Sequence, residues 1–289
     1  MPNPLHAAHY ADAALQRQVT IVENVPVAEQ TYRLRFGCPE LAARILPGQF
    51  LMLRLERNDP LIGRAFALYQ TLDSASGAPW GVEVVYWVKG KFTQELAHCP
   101  PGQSLMVWGP LGNGFPADPI AHLILVAGGI GQTPFLSLAA EFLGRRRYGE
   151  PARSVPLARH VTLCYGARRA ALFAGVEDFQ ALGVDVRLAT DDGSRGHPGR
   201  VTELLPPLFE NTELPMRVVA CGPEVMLRAV AELTAQENVP CQVSLETPMA
   251  CGIGICFSCV TRVKDQEGGW DWKRTCVEGP VFDAERIVW

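Results

Sequence analysis

His122-Leu-Ile-Leu-Val-Ala-Gly-Gly-Ile-Gly-Gln-Thr-Pro134 is the stretch at which this chain changes its organisation. His122 to Ala127 is a continuous apolar strand, Gly128 to Gly131 a glycine turn, and Thr133 to Arg147 a helix-like pattern. Further strands are expected at Val161 to Tyr165, Val184 to Ala189, Arg217 to Cys221 and Cys241 to Leu245, with helices at Leu172 to Ala181, Val201 to Leu205 and Glu224 to Glu237. Strands alternating with helices predict a parallel, doubly wound α/β sheet. Upstream the rhythm is one of short branched or aromatic runs: Val19 to Glu23, Thr31 to Phe36, Phe50 to Leu55, Ala65 to Tyr69, Val82 to Val88 and Ser104 to Trp108. Turn clusters such as Leu46-Pro-Gly48 and Pro100-Pro-Gly102 separate them, which predicts a small antiparallel β-barrel.

The glycine turn also carries chemistry. Absent side chains at Gly128, Gly129 and Gly131 let a pyrophosphate approach backbone N–H groups at a helix N-terminus. The turn is not a G-x-G-x-x-G fingerprint, and strand-glycine-helix turns also serve packing, so both readings stand. Cys221-Gly222-Pro223 ends another apolar strand and is expected at the same carboxyl edge of the sheet, where ligands bind. Cys221 either borders a nicotinamide there or is simply a small buried residue at a strand end.

Near the C-terminus Cys251, Cys256 and Cys259 are spaced C-x4-C-x2-C, with Cys276 further on. This is the spacing of a plant-type [2Fe–2S] site. Gly252 and Gly254 allow the positive φ angles that a loop wrapped around such a core needs. Structural zinc sites usually pair two close knuckles, and Cys276 has no close partner, so zinc is the weaker alternative. A disulfide framework is weaker still. The nine cysteines are an odd number, and Cys38, Cys99, Cys164, Cys221 and Cys241 are scattered singly, as thiols of a reducing compartment are.

At 289 residues the chain exceeds one ordinary core. No apolar run is long enough to span a bilayer, and Met1 to Gln18 lacks the apolar centre of a signal peptide, reading as a cytoplasmic extension. A net charge of −4 gives no basic footprint for nucleic acid. The six histidines are isolated and receive no catalytic role.

Together these residues carry a resemblance. Gly109-Pro-Leu-Gly-Asn-Gly-Phe115, Gly128-Gly-Ile-Gly131, Thr190-Asp-Asp-Gly-Ser194, Ala220-Cys-Gly-Pro-Glu-Val-Met-Leu227, Ser244-Leu-Glu246 running into Met249-Ala-Cys-Gly-Ile-Gly254, and Gly279-Pro-Val-Phe282 resemble the ferredoxin-reductase superfamily. Within it they are similar to the electron-transfer subunits of the NAD-dependent (class 1B) dihydroorotate dehydrogenases. The resemblance implies an N-terminal extension over 1–15, an FAD-binding barrel over 16–116, an NAD-binding α/β domain over 117–245 and a [2Fe–2S] module over 246–289, with Cys251, Cys256, Cys259 and Cys276 as cluster ligands.

Family FAD contacts then fall on Arg64, Ala65, Phe66 and Ala67, on Val85, Tyr86 and Trp87, and on Phe92 and Thr93. Arg64 would neutralise the pyrophosphate with a charge-assisted fork, Thr93 would bond a phosphate, and Phe66 would cover an isoalloxazine face. The chain departs from the pattern at three positions. Ala67 stands where a flavin-bonding hydroxyl is usual, Ala65 where the subfamily has Pro, and Phe92 where a Gly precedes the Thr. A side chain as large as that of Phe92 is expected to crowd the pyrophosphate unless the local backbone differs.

Asp191 and Asp192 stand where NADP-using relatives present Ser and Arg, which predicts NAD over NADP because a carboxylate accepts from ribose hydroxyls and repels a phosphate. Arg168, Arg169 and Arg195 lie close enough in sequence to complicate this. The implied activity is transfer of electrons from an FMN-containing, dihydroorotate-oxidising catalytic subunit through [2Fe–2S] and FAD to NAD⁺, in pyrimidine biosynthesis, in a cytoplasmic heterotetramer. The partner is expected to dock near the cysteine loop, where Ile253, Ile255 and Phe257 either form an apolar contact patch or pack inward. Neither nucleic acid nor membrane is expected as a partner. The alternatives are a reductase subunit of a hydrogenase, sulfide dehydrogenase or sulfite reductase, or a zinc-stabilised scaffold without flavin.

Overall fold

The computed structural model describes residues 11–56, 60–210 and 214–289. Most of the expected N-terminal extension, residues 1–10, lies outside the described residues; Ala11–Ala13 forms a single 3₁₀ turn. The first layer contains β1 (Leu15–Ala28), β2 (Thr31–Gly37), α1 (Pro39–Arg44), β3 (Phe50–Leu55), β4 (Arg64–Ala67), β5 (Gln70–Asp73), β6 (Pro79–Trp87), α2 (Lys91–Ala97) and β7 (Ser104–Leu111). Its strands lie in the order β4-β3-β7-β1-β2-β6-β5, and every pairing is antiparallel. Alternate residues such as Val19 and Ile21, Leu34 and Phe36, Leu51 and Leu53 point into one apolar core, as the period of two requires. The sheet curls on itself. Phe66 of the end strand β4 meets Tyr86 of β6 edge-on, with ring centroids 5.9 Å apart.

The second layer contains β8 (His122–Gly128), α3 (Phe135–Phe142), β9 (His160–Ala167), α4 (Val176–Leu182), β10 (Asp185–Thr190), β11 (His197–Pro198), α5 (Pro206–Phe209), β12 (Met216–Cys221), α6 (Glu224–Gln236) and β13 (Cys241–Ser244). On β8, Leu123, Leu125 and Ala127 pack with Phe135 and Phe142 of α3. Ile124 and Val126, on the opposite face, pack with Leu227 and Val230 of α6. Burial on both faces is why this strand reads as an unbroken apolar run. The strands are parallel in the order β11-β10-β9-β8-β12-β13. The chain builds outward from β8 and then crosses back to place β12 on its other side, so the ends of β8 and β12 flank the reversal point where such sheets bind ligands.

Three helices are shorter or later than their sequence pattern. The stretch Thr133 to Arg147 keeps only α3, because Gly129–Gln132 forms a 3₁₀ turn and Gly144 takes a φ of +66° that ends the helix. Leu172 to Ala181 yields α4, set between the left-handed Gly175 and Gly183. Val201 to Leu205 is a 3₁₀ turn over Val201–Leu204 leading into α5.

After β13 the chain forms the cysteine loop, the hairpin β14 (Val260–Lys264) with β15 (Trp270–Arg274), and β16 (Val281–Asp283). β16 pairs antiparallel with β13, so the C-terminal stretch completes the second sheet. The two layers are tied by polar contacts. The Tyr69 hydroxyl donates to Asp178 Oδ2 at 2.7 Å, and Arg146 grips both carboxylate oxygens of Asp73 at 3.0 and 2.6 Å. Asn113 exchanges bonds with the backbone of Val281, donating at 2.8 Å and accepting at 3.1 Å. Among the described residues no helix is long and apolar enough to cross a membrane.

Candidate functional site

A cleft of about 1090 Å³ opens between the layers. Arg64, Ala65, Phe66 and Ala67 of β4 line one side, Val85, Tyr86 and Trp87 of β6 lie beside them, and Phe92 and Thr93 follow at α2. Facing them are Gly128 and Gly129 after β8, Asp191 after β10, and Cys221, Gly222 and Pro223 after β12. Residues separated by more than a hundred positions therefore meet in one crevice at the carboxyl edge of the parallel sheet, the usual ligand position of this architecture.

Gly131 is the exception. It is off the cleft wall, and a Cβ there would fall 2.2 Å from the Cys221 carbonyl oxygen, so its lack of a side chain serves the contact of the turn with β12. Three aromatic residues of the cleft wall also pack toward the barrel core. The Phe92 ring is 2% exposed and belongs to that core, although the residue lines the cleft. Phe66 packs beside it with ring centroids 6.0 Å apart and likewise borders both core and cleft. Tyr86 turns its hydroxyl inward to Asn24 Oδ1 at 2.9 Å. The Thr93 hydroxyl is engaged at the start of α2, accepting from the N–H groups of Lys89 and Gly90 at 2.9 and 3.1 Å. Arg64 is exposed at the rim, donating to the carbonyls of Ile62 and Gly63 at 3.0 Å.

At the β10 end the two aspartates differ. Asp192 accepts from the Ser194 hydroxyl at 2.6 Å and its N–H at 2.9 Å, which holds its pKa below the ordinary carboxylate value. Asp191 faces the cleft, as does Arg168. Arg169 is paired with Glu29, and the Arg195 guanidinium lies over the Phe173 ring at 5.9 Å.

The cleft also holds residues given no role from sequence: Lys89, Arg200, Glu246 and Thr247. Glu246 is accessible from the cleft, yet the enclosing walls push its carboxyl pKa upward, with Lys89 opposing. Burial likewise pushes the Cys221 thiol up, the Glu246 charge adding to it. The signal for Glu246 was its position directly after a strand ending at the ligand edge, the same signal that singled out Cys221.

The four cysteines of the C-terminal loop are graded in exposure: Cys256 exposed, Cys251 intermediate, Cys259 and Cys276 buried. Cys259 Sγ and Cys276 Sγ are 3.2 Å apart. The hydrogen bond between these two thiols pulls that of Cys259 down to about 6, while that of Cys276 is pushed up. Hydrogen bonding from Ser258, with a smaller contribution from Cys251, lowers the Cys256 thiol to about 6. Among the described residues no three metal-ligating side chains converge on a point suited to a single ion. Cys259 and Cys276 form one close pair, Cys251 bonds Cys256, and the four thiols would supply the ligands of a [2Fe–2S] core.

The backbone fits the same core. Gly252 and Gly254 have φ of +72° and +83°, and a Cβ on Gly254 would lie 2.6 Å from Val277 Cγ2. The Ile253 N–H points at Cys251 Sγ from 3.4 Å. The Trp108 indole N–H of β7 donates to the Cys251 carbonyl at 2.9 Å, and Arg274 reaches the Gly254 carbonyl at 3.0 Å. Of the apolar residues expected to contact a partner, Ile253 packs inward with the cluster of Met52 and Val277, whereas Ile255 and Phe257 are 65% and 60% exposed.

The cleft and the cysteine nest share a wall. Phe50, Ala65 and Met249 line the cleft and also pack in the apolar cluster that buries Cys259 and Cys276. The two sites are thus joined through one apolar cluster.

Comparison with known proteins agrees with this geometry. Residues 246–288 match the model of the iron-sulfur cluster binding domain of dihydroorotate dehydrogenase B, and residues 18–115 match an oxidoreductase FAD-binding domain. The chain is 35% identical to the dihydroorotate dehydrogenase B (NAD(+)) electron transfer subunit of Desulforamulus reducens, over 91% of this chain and 94% of the relative. It is 36% identical to the subunit of that name from Bacillus caldolyticus, over 94% and 98%. Among solved structures, a chain of an NADH-dependent reduced ferredoxin-NADP oxidoreductase studied for flavin-based electron bifurcation superposes with a TM-score of 0.76 at 28% identity, over 94% of this chain and 90% of that one.

Proposed function

The chain belongs to the family of the electron transfer subunits of dihydroorotate dehydrogenase B, and from that premise we propose that it carries electrons from a dihydroorotate-oxidising catalytic subunit to NAD⁺. It is an oxidoreductase subunit whose cofactors are FAD and a [2Fe–2S] cluster. When bound, the cluster passes single electrons and the flavin exchanges single electrons or a hydride, which is what couples a one-electron carrier to NAD⁺. The observation that carries the reading is the shared wall: Phe50, Ala65 and Met249 line the cleft and belong to the apolar cluster around Cys259 and Cys276.

The chain's own residues divide the work. Cys251, Cys256, Cys259 and Cys276 would hold the two irons, the Ile253 N–H would offset thiolate charge at Cys251, and Arg274, paired with Glu278, braces the loop at the Gly254 carbonyl. Arg64 at the rim supplies the cation for the FAD pyrophosphate. Gly129, whose missing side chain faces open space, lets NAD approach the backbone at the end of β8, Gly128 and Gly222 pack the ends of β8 and β12 against each other and Met226, and Asp191 accepts from a ribose hydroxyl. The barrel side and the Rossmann-like side of the cleft are the FAD and NAD halves, with divisions near residues 116 and 245.

The catalytic subunit docks on the exposed side of the cysteine loop. There Ile255 and Phe257 adjoin a continuous aromatic face: Arg274 lies over the Phe257 ring at 5.2 Å, and Trp272 and Trp270 follow at alternate positions on β15, their rings 5.5 Å apart. The assembly we propose is a heterotetramer with two copies of each subunit.

Anaerobic purification with quantification of iron, zinc and released flavin tests the proposal. About two irons and one FAD per chain are expected; a colourless protein loaded with zinc would overturn the reading. Turnover with NADH is expected to exceed that with NADPH, and the reverse preference would remove Asp191 from its role. Co-expression with an FMN-dependent dihydroorotate-oxidising subunit, followed by sedimentation analysis, reads the stoichiometry.

A further inference from the structure

A short chain of hydroxyls runs from the cleft to the inner cysteine pair. Thr247 lines the cleft, and its Oγ1 is hydrogen-bonded to Oγ1 of Thr275. Thr275 is fully buried and immediately precedes Cys276. Its hydroxyl donates to the Cys259 carbonyl at 3.0 Å, and its backbone N–H donates to the same oxygen at 2.9 Å. Thr247 Oγ1 is 3.5 Å from that carbonyl, too long for a strong bond. A hydroxyl has one proton to give. Because Thr275 gives its own to Cys259, the bond between the threonines is donated by Thr247, and the chain has a direction: Thr247 to Thr275 to Cys259.

This arrangement has two consequences. Two bonds to one carbonyl clamp the backbone of Cys259 to the residue before Cys276, which fixes the two sulfurs beside each other. The O–H dipoles run in series and end on the Cys259 carbonyl oxygen, with Thr275 fully buried, and hydrogen bonds in series polarise one another. Their positive ends point at the peptide of a ligand cysteine, and the polar groups around the cysteines are among the surroundings that tune the potential of an iron–sulfur centre.

We propose that the Thr247–Thr275 hydroxyl pair is a positioning element that raises the reduction potential of the cluster from its flavin-facing side, an inference that rests on the cofactor assignment above. Thr275→Val removes the hydroxyl and keeps the side-chain shape and the backbone bond. Thr247→Val breaks only the outer bond, and Thr275→Ser restores the donor. The measurement is a redox titration of the full chain followed by the EPR signal of the reduced cluster, with iron content determined on the same samples.

Thr275→Val is expected to keep wild-type iron, alter the EPR line shape and lower the ratio of reduced to oxidised cluster at fixed ambient potential by up to about 10-fold, the limit reached when the whole net worth of one hydrogen bond is specific to the reduced state. Thr247→Val is expected to shift it in the same direction by less, and Thr275→Ser to match wild type. Iron-loaded Thr275→Val with wild-type potential and EPR spectrum would overturn the inference. Should Thr275→Val lose its iron, Thr247→Val decides, a shifted potential supporting the pair and an unchanged one refuting it. A wild-type protein without iron would instead overturn the cofactor assignment, and this inference with it.

Discussion

A Cβ on Gly131 would lie 2.2 Å from the Cys221 carbonyl oxygen and 2.8 Å from the Gly222 nitrogen, both rigid backbone atoms. Gly131→Ala must therefore push the turn after β8 away from the end of β12. Urea denaturation is expected to show a loss of about 1–3 kcal/mol, the range for overpacking. One residue on, Gln132 is fully buried with no partner for either amide atom among the described residues. Gln132→Met removes that desolvation cost at similar volume, and a gain of about 1 kcal/mol in thermal stability is expected. Glu246 gives a pH signature. Its folded-state pKa is raised above the ordinary 4.5 by enclosure, so the folded state holds this proton more tightly than the unfolded chain. The resulting stability is complete below the unfolded value and is lost as pH rises through the raised folded value. The stability difference between Glu246→Gln and wild type is expected to change in favour of the variant over that window; a pH-independent difference would mean that the carboxyl is not enclosed.

The elements differ in how far sequence pattern could find them. β8 and β12 were legible because both faces are buried and their apolar runs need no partner to be recognised. The hairpin β14–β15 was not foreseen: its strands are mostly polar, and Trp270 and Trp272 stand on its exposed face, 48% and 54% accessible. β5 and β16, of four and three residues, are strands only because β6 and β13 supply their ladders. The aromatic face of β15 carries its own prediction. Trp270→Lys with Trp272→Lys is expected to leave iron and flavin content unchanged and to weaken association with the catalytic subunit about tenfold or more, as loss of exposed aromatic anchors does. Equal affinity in a pull-down titration would move the docking face elsewhere.

At the scale of the whole molecule, the cleft exists because the barrel and the parallel sheet are held at a fixed separation. Tyr69 is fully buried, and its hydroxyl bonds Asp178 on α4, across the junction. Tyr69→Phe leaves that carboxylate without its donor. A loss of about 1.5–3 kcal/mol is expected, the range for a bond to a charged group, together with faster release of FAD on dilution. Unchanged flavin retention would show that the junction does not set the cleft.

The sequence by itself determined the order of the layers, the glycine turn at the sheet's ligand edge and the C-x4-C-x2-C spacing. These rest on short-range periodicity and chain spacing, which survive any later packing. Only the tertiary structure decided which way individual side chains serve. The rings of Phe66, Tyr86 and Phe92 pack in the barrel core because strands and a helix brought from elsewhere in the chain enclose apolar surface there. Gly131 faces Cys221, and Asp192 is engaged by Ser194 where Asp191 is not. The shared wall of Phe50, Ala65 and Met249 joins residues almost two hundred positions apart. No local pattern encodes such a contact, because it depends on how two independently formed layers pack.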